Sequence, residues 1–300
     1  MGHGGKVFLS ASTDAVDAAL ICKDRVVRDF SAISGTPLEA LGAIGDSSND
    51  LPFLLIDGLG LTGAPRNAQE AVRSALRNRT NGIVTRNEFF NGFMEFYRLA
   101  RKRHISHVFA DRDGVLIWND ENSHAARLHD VFEHMGLEGN PFIFILTGSS
   151  YEQNVAFLEA YGIGRTLLCN PCIRAHPYVL LAENGAVQFD VISGRCREFS
   201  GTVDPTLLHS LKSDFQSQVL RAVEEQVLPA FGLSWSDNPG DQVEKVYVPN
   251  KRTMVTINLP RAFRDGTDYR RSPTGDRLRI ALLSAMVHAA KSLNLPYTRL

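Results

Sequence analysis

Two carboxylates, Asp111 and Asp113, end a short apolar run, His107-Val108-Phe109-Ala110, and glycine follows at 114. Such a run reads as a buried parallel strand. Its end delivers both acids to the carboxyl edge of a sheet, where open α/β folds build their sites. Gly114 lets the backbone turn sharply there. Acids this close repel unless positive charge offsets them, and a hard divalent cation takes carboxylate and carbonyl oxygen. A plain Asp-Gly turn after a strand accounts for the same residues without any chemistry.

Three companion segments share the pattern. Leu41 to Ile44 is a second apolar run, leading into Gly45-Asp46-Ser47-Ser48-Asn49-Asp50. Phe142 to Leu146 is a third, leading into Thr147-Gly148-Ser149-Ser150. Leu180 to Ala182 is a fourth, leading into Glu183-Asn184-Gly185-Ala186. Each ends in a polar turn that contains glycine.

Together these segments resemble the haloacid dehalogenase superfamily of phosphotransferases. Asp111-Arg112-Asp113-Gly114 resembles its nucleophile motif, Thr147-Gly148 its second motif and Gly45 to Asp50 its acidic fourth motif. The Glu183-Asn184-Gly185-Ala186 turn resembles the sugar-phosphatase branch, which carries a large cap after the third strand. The resemblance covers nearly the whole chain. It implies an α/β fold: a Rossmann-like parallel core with an α+β cap domain. It also implies Mg²⁺ as cofactor and a small phosphorylated metabolite, a sugar phosphate, as substrate.

The resemblance carries residue roles with it. Asp111 is the expected nucleophile, forming an aspartyl-phosphate, and Asp113 the expected proton donor and later base. Mg²⁺ is expected on Asp111, the backbone carbonyl of Asp113 and Asp46, with Asp50 bound directly or through water. Thr147 and Gly148 would meet the phosphate, and Asn49 and Asn184 the substrate. Lys23, at the start of a helix, would neutralise the phosphate and Asp111. Ordinary alternatives stand beside these roles: an Asn-Gly turn explains Asn184, and lysines at helix starts are commonly solvated. Ser149 occupies a position where many sugar-phosphatase relatives carry arginine.

The motif order departs from the family, because Asp46 precedes Asp111. Residues from Lys23 to about Phe96 resemble the family's carboxyl-terminal third. Within it Leu59 to Gly63 reads as a fifth strand and Ala64-Pro65-Arg66-Asn67-Ala68 as its turn into a helix. Two accounts are open: a circularly permuted chain, or the tail of one tandem unit followed by the head of the next. The permuted chain predicts a core over 19–186 and a cap over 187–300 completed by residues 1–18. It also places the Asp46 strand directly beside the Asp111 strand, with the Thr147 strand on the other side. One cation must touch both acids, and Mg–O bonds are only about 2.0–2.1 Å. If the acidic strands met only between two chains, the protein would be a swapped dimer. The functions these accounts allow are a Mg²⁺-dependent phosphatase, a phosphomutase of the same fold, or a non-catalytic interaction module.

Composition fits a soluble enzyme. The chain has 300 residues, 44% of them apolar, and a formal net charge of -1. That balance offers no electrostatic case for nucleic acid or an anionic membrane as partner. The cations at Arg98, Arg101, Lys102 and Arg103 read as helix-end charge. No apolar run has the length of a membrane span and no secretory leader is evident, so a cytoplasmic protein is expected. Cys169 and Cys172 have metal-ligand spacing but no second pair, so free thiols are expected.

Periodicity predicts helices over Lys23–Ser34, Asn67–Leu76, Glu88–Arg103, His124–Met135, Ser150–Tyr161, Asp204–Val227 and Gly275–Leu293. Beyond Ala186 a hairpin turns at Ser193-Gly194, and strands are expected at Glu244–Val248 and Met254–Leu259. A further strand for this layer comes from Lys6–Ser10 or Tyr297–Leu300. His107, His124, Trp118 and Trp235 read as packing residues, and Lys245, Lys251, Arg252 and Arg264 as mostly solvated.

Overall fold

The apolar runs that end in acids fold as neighbouring strands. The structure is a computed structural model that describes residues 6–12, 15–117, 125–198, 205–238, 245–260, 263 and 273–300. His124, Trp118 and Arg264 lie outside the described residues. Contacts divide the chain into two units, residues 22–199 and residues 1–21 with 200–300.

The described chain opens with β1 (Val7–Ala11) and β2 (Ala15–Ala19). Helix α1 (Lys23–Ser34) stops where expected, at Gly35, whose φ of 72° is left-handed. Then follow β3 (Leu41–Ile44), α2 (Leu51–Leu54), β4 (Leu61–Ala64), α3 (Glu70–Arg77), β5 (Gly82–Val84) and α4 (Phe89–Lys102). The segment before Asp111 is β6 (His107–Ala110), followed by α5 (Ala125–His134), β7 (Phe142–Leu146), α6 (Tyr151–Ala160) and α7 (Ile163–Cys169). The unit closes with β8 (Leu180–Ala182), β9 (Val187–Asp190) and β10 (Arg195–Glu198).

These strands form one sheet in the order β10-β9-β8-β7-β6-β3-β4-β5. The six from β8 to β5 run parallel. The Asp46 strand is thus beside the Asp111 strand, and the Thr147 strand is on its other side. The chain starts at the centre with β3, moves outward through β4 to β5, returns by α4 to β6, and moves outward again through β7 to β8. The strand order therefore reverses between β3 and β6, the place where open α/β sheets leave a crevice at their carboxyl ends.

Helix α4 sits close to the sheet during that return. Phe90, Phe93, Phe96, Tyr97 and Ala100 are all buried on its inner face. The Phe96 ring lies on bare backbone: a Cβ at Gly63 would stand 2.3 Å from Phe96 Cδ2.

The hairpin β9–β10, expected to open the cap, instead extends this sheet. The turn over 183–185 reverses the chain at once, with Asn184 at φ 60° and Gly185 at φ 90°. β9 then pairs antiparallel with β8, from Leu180↔Phe189 to Ala182↔Val187. Phe189 and Val191 join the apolar core of this unit. The boundary expected after residue 186 consequently falls near residue 199.

The other unit has a six-stranded sheet, β11-β12-β13-β2-β1-β14, where β11 is Ser234–Ser236, β12 Lys245–Tyr247, β13 Met254–Asn258 and β14 Tyr297–Arg299. Both rivals for the extra strand are present, since β14 pairs parallel with β1. A helical stretch over 205–231, α8, supplies Leu211, Phe215 and Val219 to the core, and helix α9 (Pro273–Ser292) supplies Leu278, Leu282 and Met286, with Val7, Leu9, Val16, Val255 and Ile257. That stretch runs past Pro229, because a π segment over Val223–Val227 precedes the ring. Trp235 packs partly buried on this core. Lys251 departs from the solvated expectation: it is buried, with Nζ 2.6 Å from Thr256 Oγ1 and 3.8 Å from Asp17 Oδ1. Lys245 and Arg252 are exposed.

His107 is a packed histidine that stacks on Phe144 beside His176, and its pKa is pushed down to about 4 by burial and then by His176. No helix among the described residues is long and apolar enough to cross a membrane.

The close seat of α4 yields a stability prediction. Gly63→Ala should destabilise the protein by about 1–3 kcal/mol through overpacking against Phe96. Phe96→Leu in the same chain should return part of that loss in a double-mutant cycle read by chemical denaturation. Additive effects would show that the two residues are not in contact.

Candidate functional site

The β3–β6 ladder fixes the first geometry. Register runs from Leu41↔His107 to Ile44↔Ala110, and the Asp111 N–H donates to the Ile44 carbonyl at 2.9 Å. Asp111 and the segment from Gly45 therefore leave the sheet side by side. The loop after β3 is folded by Asp50, whose Oδ2 accepts from the N–H groups of Asp46 and Ser47, each at 3.0 Å, and from Ser47 Oγ at 3.2 Å. Gln69 holds it from outside: Oε1 accepts from Ser48 Oγ at 2.6 Å, and its N–H donates to the Asp46 carbonyl at 2.8 Å. The turn after Asp113 presses on the same loop. Gly114 has φ 77°, and a Cβ there would lie 2.2 Å from Asp46 Oδ2, so only glycine fits. Asn67 secures this turn by donating from Nδ2 to the Gly114 carbonyl at 2.9 Å.

The result is a buried acidic cluster. Asp46, Asp50 and Asp111 each bring one oxygen within 4.8 Å of the others. Lys23 enters it from the start of α1, with Nζ donating to Asp50 Oδ1 at 2.6 Å and Asp111 Oδ1 at 3.0 Å. One ammonium among three carboxylates leaves the cluster short of positive charge. Burial first, and that shortage second, set how the cluster holds its protons. Burial raises the Asp111 carboxyl to about 7; Asp50 and Asp113 push the same way, and Lys23 opposes them. Burial, then Asp50 and Asp111, holds Asp46 well above the usual carboxylate range. For Lys23 burial acts downward, but Asp111 and Asp50 outweigh it and raise the ammonium above its ordinary value.

This donor set fits a hard divalent cation. All three ligands are carboxylates, the charge deficit is the right sign, and Asn49 Oδ1 is buried with no hydrogen-bond partner among the described residues. The lone pairs differ in availability. Asp50 already serves three donors on Oδ2 and Lys23 on Oδ1, whereas Asp46 and Asp111 are less committed.

Asp113 is held apart from the cluster. Its carboxylate pairs with Arg112, Nη2 to Oδ2 at 2.8 Å, and accepts from Ser149 Oγ at 3.2 Å. Thr147 is buried at the end of β7, its N–H on the Leu181 carbonyl at 3.0 Å and its own carbonyl accepting the Asn184 N–H at 2.8 Å. Thr147 Oγ1 accepts from the Ser149 N–H at 3.1 Å, which leaves its proton for another acceptor. Asn184 Oδ1 lies against Gly148, 3.4 Å from where a Cβ would stand. The turns after β7 and β8 are thus laced together.

Sequence reasoning missed three members of this region. Arg112, Asn154 and Asn67 hold the acidic turns, and their only signal was proximity to motif residues. The four cysteines are free, with Cys22 buried and its thiol pushed up to about 12 by burial and then by Asp24. The chain matches no family model, no curated protein and no solved structure.

The raised carboxyls predict how stability varies with pH. A carboxyl whose pKa is higher in the folded chain binds its proton more tightly there. Its stabilising share is present below the ordinary carboxylate range and is lost as pH rises to about 7 for Asp111. In chelator, wild type should lose stability relative to Asp111→Asn between pH ~4.5 and ~7, on the order of 1 kcal/mol per pH unit. Denaturant midpoints of the two proteins would check this. Parallel curves would contradict the cluster's repulsion.

Proposed function

We propose that this chain is a Mg²⁺-dependent phosphatase of the haloacid dehalogenase type, acting on a small phosphorylated metabolite, a sugar phosphate, through an aspartyl-phosphate on Asp111. The observation that carries this reading is the adjacency of β3 and β6 at the strand-order reversal, with Lys23 tying Asp50 to Asp111. In this reading the sheet of residues 22–199 is a circularly permuted catalytic core, and the unit of residues 1–21 with 200–300 is its α+β cap.

Asp46, Asp111 and the carbonyl of Asp113 would hold the cation, with Asp50 beside them. When bound, Mg²⁺ supplies positive charge against the carboxylates and the phosphate oxygens. The chain's own groups do the rest. Lys23 fixes Asp111 by one oxygen. The carboxylate attacks phosphorus, the bond from phosphorus to the ester oxygen breaks, and Asp113 gives that oxygen a proton. Asp113 then takes a proton from the water that attacks phosphorus and returns Asp111 as carboxylate. The Thr147 hydroxyl, with Gly148, donates to a phosphate oxygen. Asn184, laced to that turn, and Asn49 supply polar contacts for the substrate.

Purified protein should release inorganic phosphate from a panel of sugar phosphates in Mg²⁺ and stop in chelator. Asp111→Asn should lower turnover by at least ~10³-fold, as loss of a nucleophile does. Asp113→Asn should cost about 10²–10⁴-fold. Unchanged release in chelator would remove the metal role. Wild-type turnover by Asp111→Asn, freed of deamidated protein, would remove the nucleophile. No release from any ester would favour a non-catalytic module.

A further inference from the structure

Arg112 stands between two acids of the site and has a role of its own. Its side chain is 9% exposed, while that of its partner Asp113 is 54% exposed. The guanidinium is anchored by α6 and the loop before it. Nη1 donates to Asn154 Oδ1 at 2.9 Å, Nη2 donates to Ser149 Oγ at 2.9 Å, and the group lies over the Phe157 ring at 5.7 Å. These anchors are themselves fixed. Asn154 is buried and donates to the Ser150 carbonyl at 2.8 Å, and Ser150 and Gln153 close a capping box.

A cation at a helix amino terminus opposes the helix dipole, and burying one costs several kcal/mol unless it is matched. Asp113 is the carboxylate that pairs with it among the described residues. The pairing is fork-like: Nε to Oδ1 at 3.1 Å, Nη2 to Oδ1 at 3.0 Å and Nη2 to Oδ2 at 2.8 Å. The rigid partner is therefore the arginine and the movable one is the aspartate. An exposed aspartate on a glycine-containing turn has several rotamers open to it. The planar fork selects among them in a way a point charge does not.

We propose that Arg112 is the positioning residue for Asp113, setting where the carboxyl group stands for proton transfer to the leaving oxygen. This rests on the phosphatase reading above. In the first half-reaction the Asp111 oxygen bonds to phosphorus and the ester oxygen leaves with its electron pair. A sugar alkoxide is strongly basic and must take the proton from Asp113 as it leaves. A nitrophenolate is weakly basic and departs without it. Misplacement of Asp113 therefore slows sugar esters more than aryl esters.

The test is the ratio of kcat/KM for the best sugar phosphate of the panel to kcat/KM for p-nitrophenyl phosphate. Each variant supplies both values from one preparation, so the ratio is independent of the fraction folded. Arg112→Gln should lower it about tenfold or more, since misplacing a catalytic group by about 1 Å costs up to ~10²-fold. Arg112→Lys should recover only part, because it keeps the charge without the fork. Asp113→Asn sets the full size of the effect. If Asp113→Asn lowers the ratio and Arg112→Gln leaves it unchanged or raises it, the positioning role is overturned and the phosphatase reading stands. If wild type hydrolyses neither ester, both fall together.

Discussion

Lys23 is the charge on which the acidic edge depends. Three carboxylates meet in a buried space, and this ammonium bonds two of them. Its position is otherwise unfavourable, since a cation in the first turn of α1 opposes the helix dipole by roughly 0.3–1 kcal/mol. Breaking a buried ion pair by removing one partner costs more, about 3–5 kcal/mol. The pairing wins, and with it the placement of α1 against the loop after β3. That loop is in turn shaped by Asp50, so one side chain both receives the lysine and folds the backbone that presents Asp46.

The second constraint is topological. A site needing acids from two strands requires those strands to be neighbours, whatever their order along the chain. Here the chain leaves the centre of the sheet at β3 and returns beside it at β6, so the return through α4 closes the geometry. The glycine at 63 lets Phe96 seat that helix against the sheet. The hydrogen bond from Asp111 to Ile44 needs only that the two strands be neighbours, whichever of them comes first along the chain.

The legible parts of the fold were those with strong local signals. Apolar runs ending in acids marked β3 and β6, an apolar run ending in Thr147-Gly148 marked β7, and Gly35 marked the end of α1. The acids of the cluster were legible because their residue types and turns are unusual at strand ends. Other elements lacked a local signal. β2 is Ala-Val-Asp-Ala-Ala, whose alanines hide the alternation, and β5 has three residues. The alternation of Val187, Phe189 and Val191 shows that one face is buried but does not say in which sheet. The tight turn at Asn184, read as a departure toward a second domain, is a reversal along β8. Arg112 was hidden because its partners at 149 and 154 become neighbours only once β6 pairs with β7.

Repulsion within the cluster links protons, cations and stability. Asp46 and Asp111 hold protons above the usual carboxylate range because burial disfavours ionisation, as do Asp50 and Asp111 for Asp46 and Asp50 and Asp113 for Asp111. A divalent cation would compete with those protons for the same oxygens, so its binding would release them. The cation's affinity therefore falls as pH falls, and its contribution to stability follows occupancy. The electrostatic strain that weakens the fold is thus what a cation held there would relieve, and it would be the source of any capacity to bind one. Relieving it by an amide at 46 would stabilise the chain while weakening that capacity, the usual opposition between stability and a charged site. Asp113 adds to this repulsion, since its charge also raises Asp46 and Asp111, while its own carboxylate is held by Arg112 rather than by Lys23.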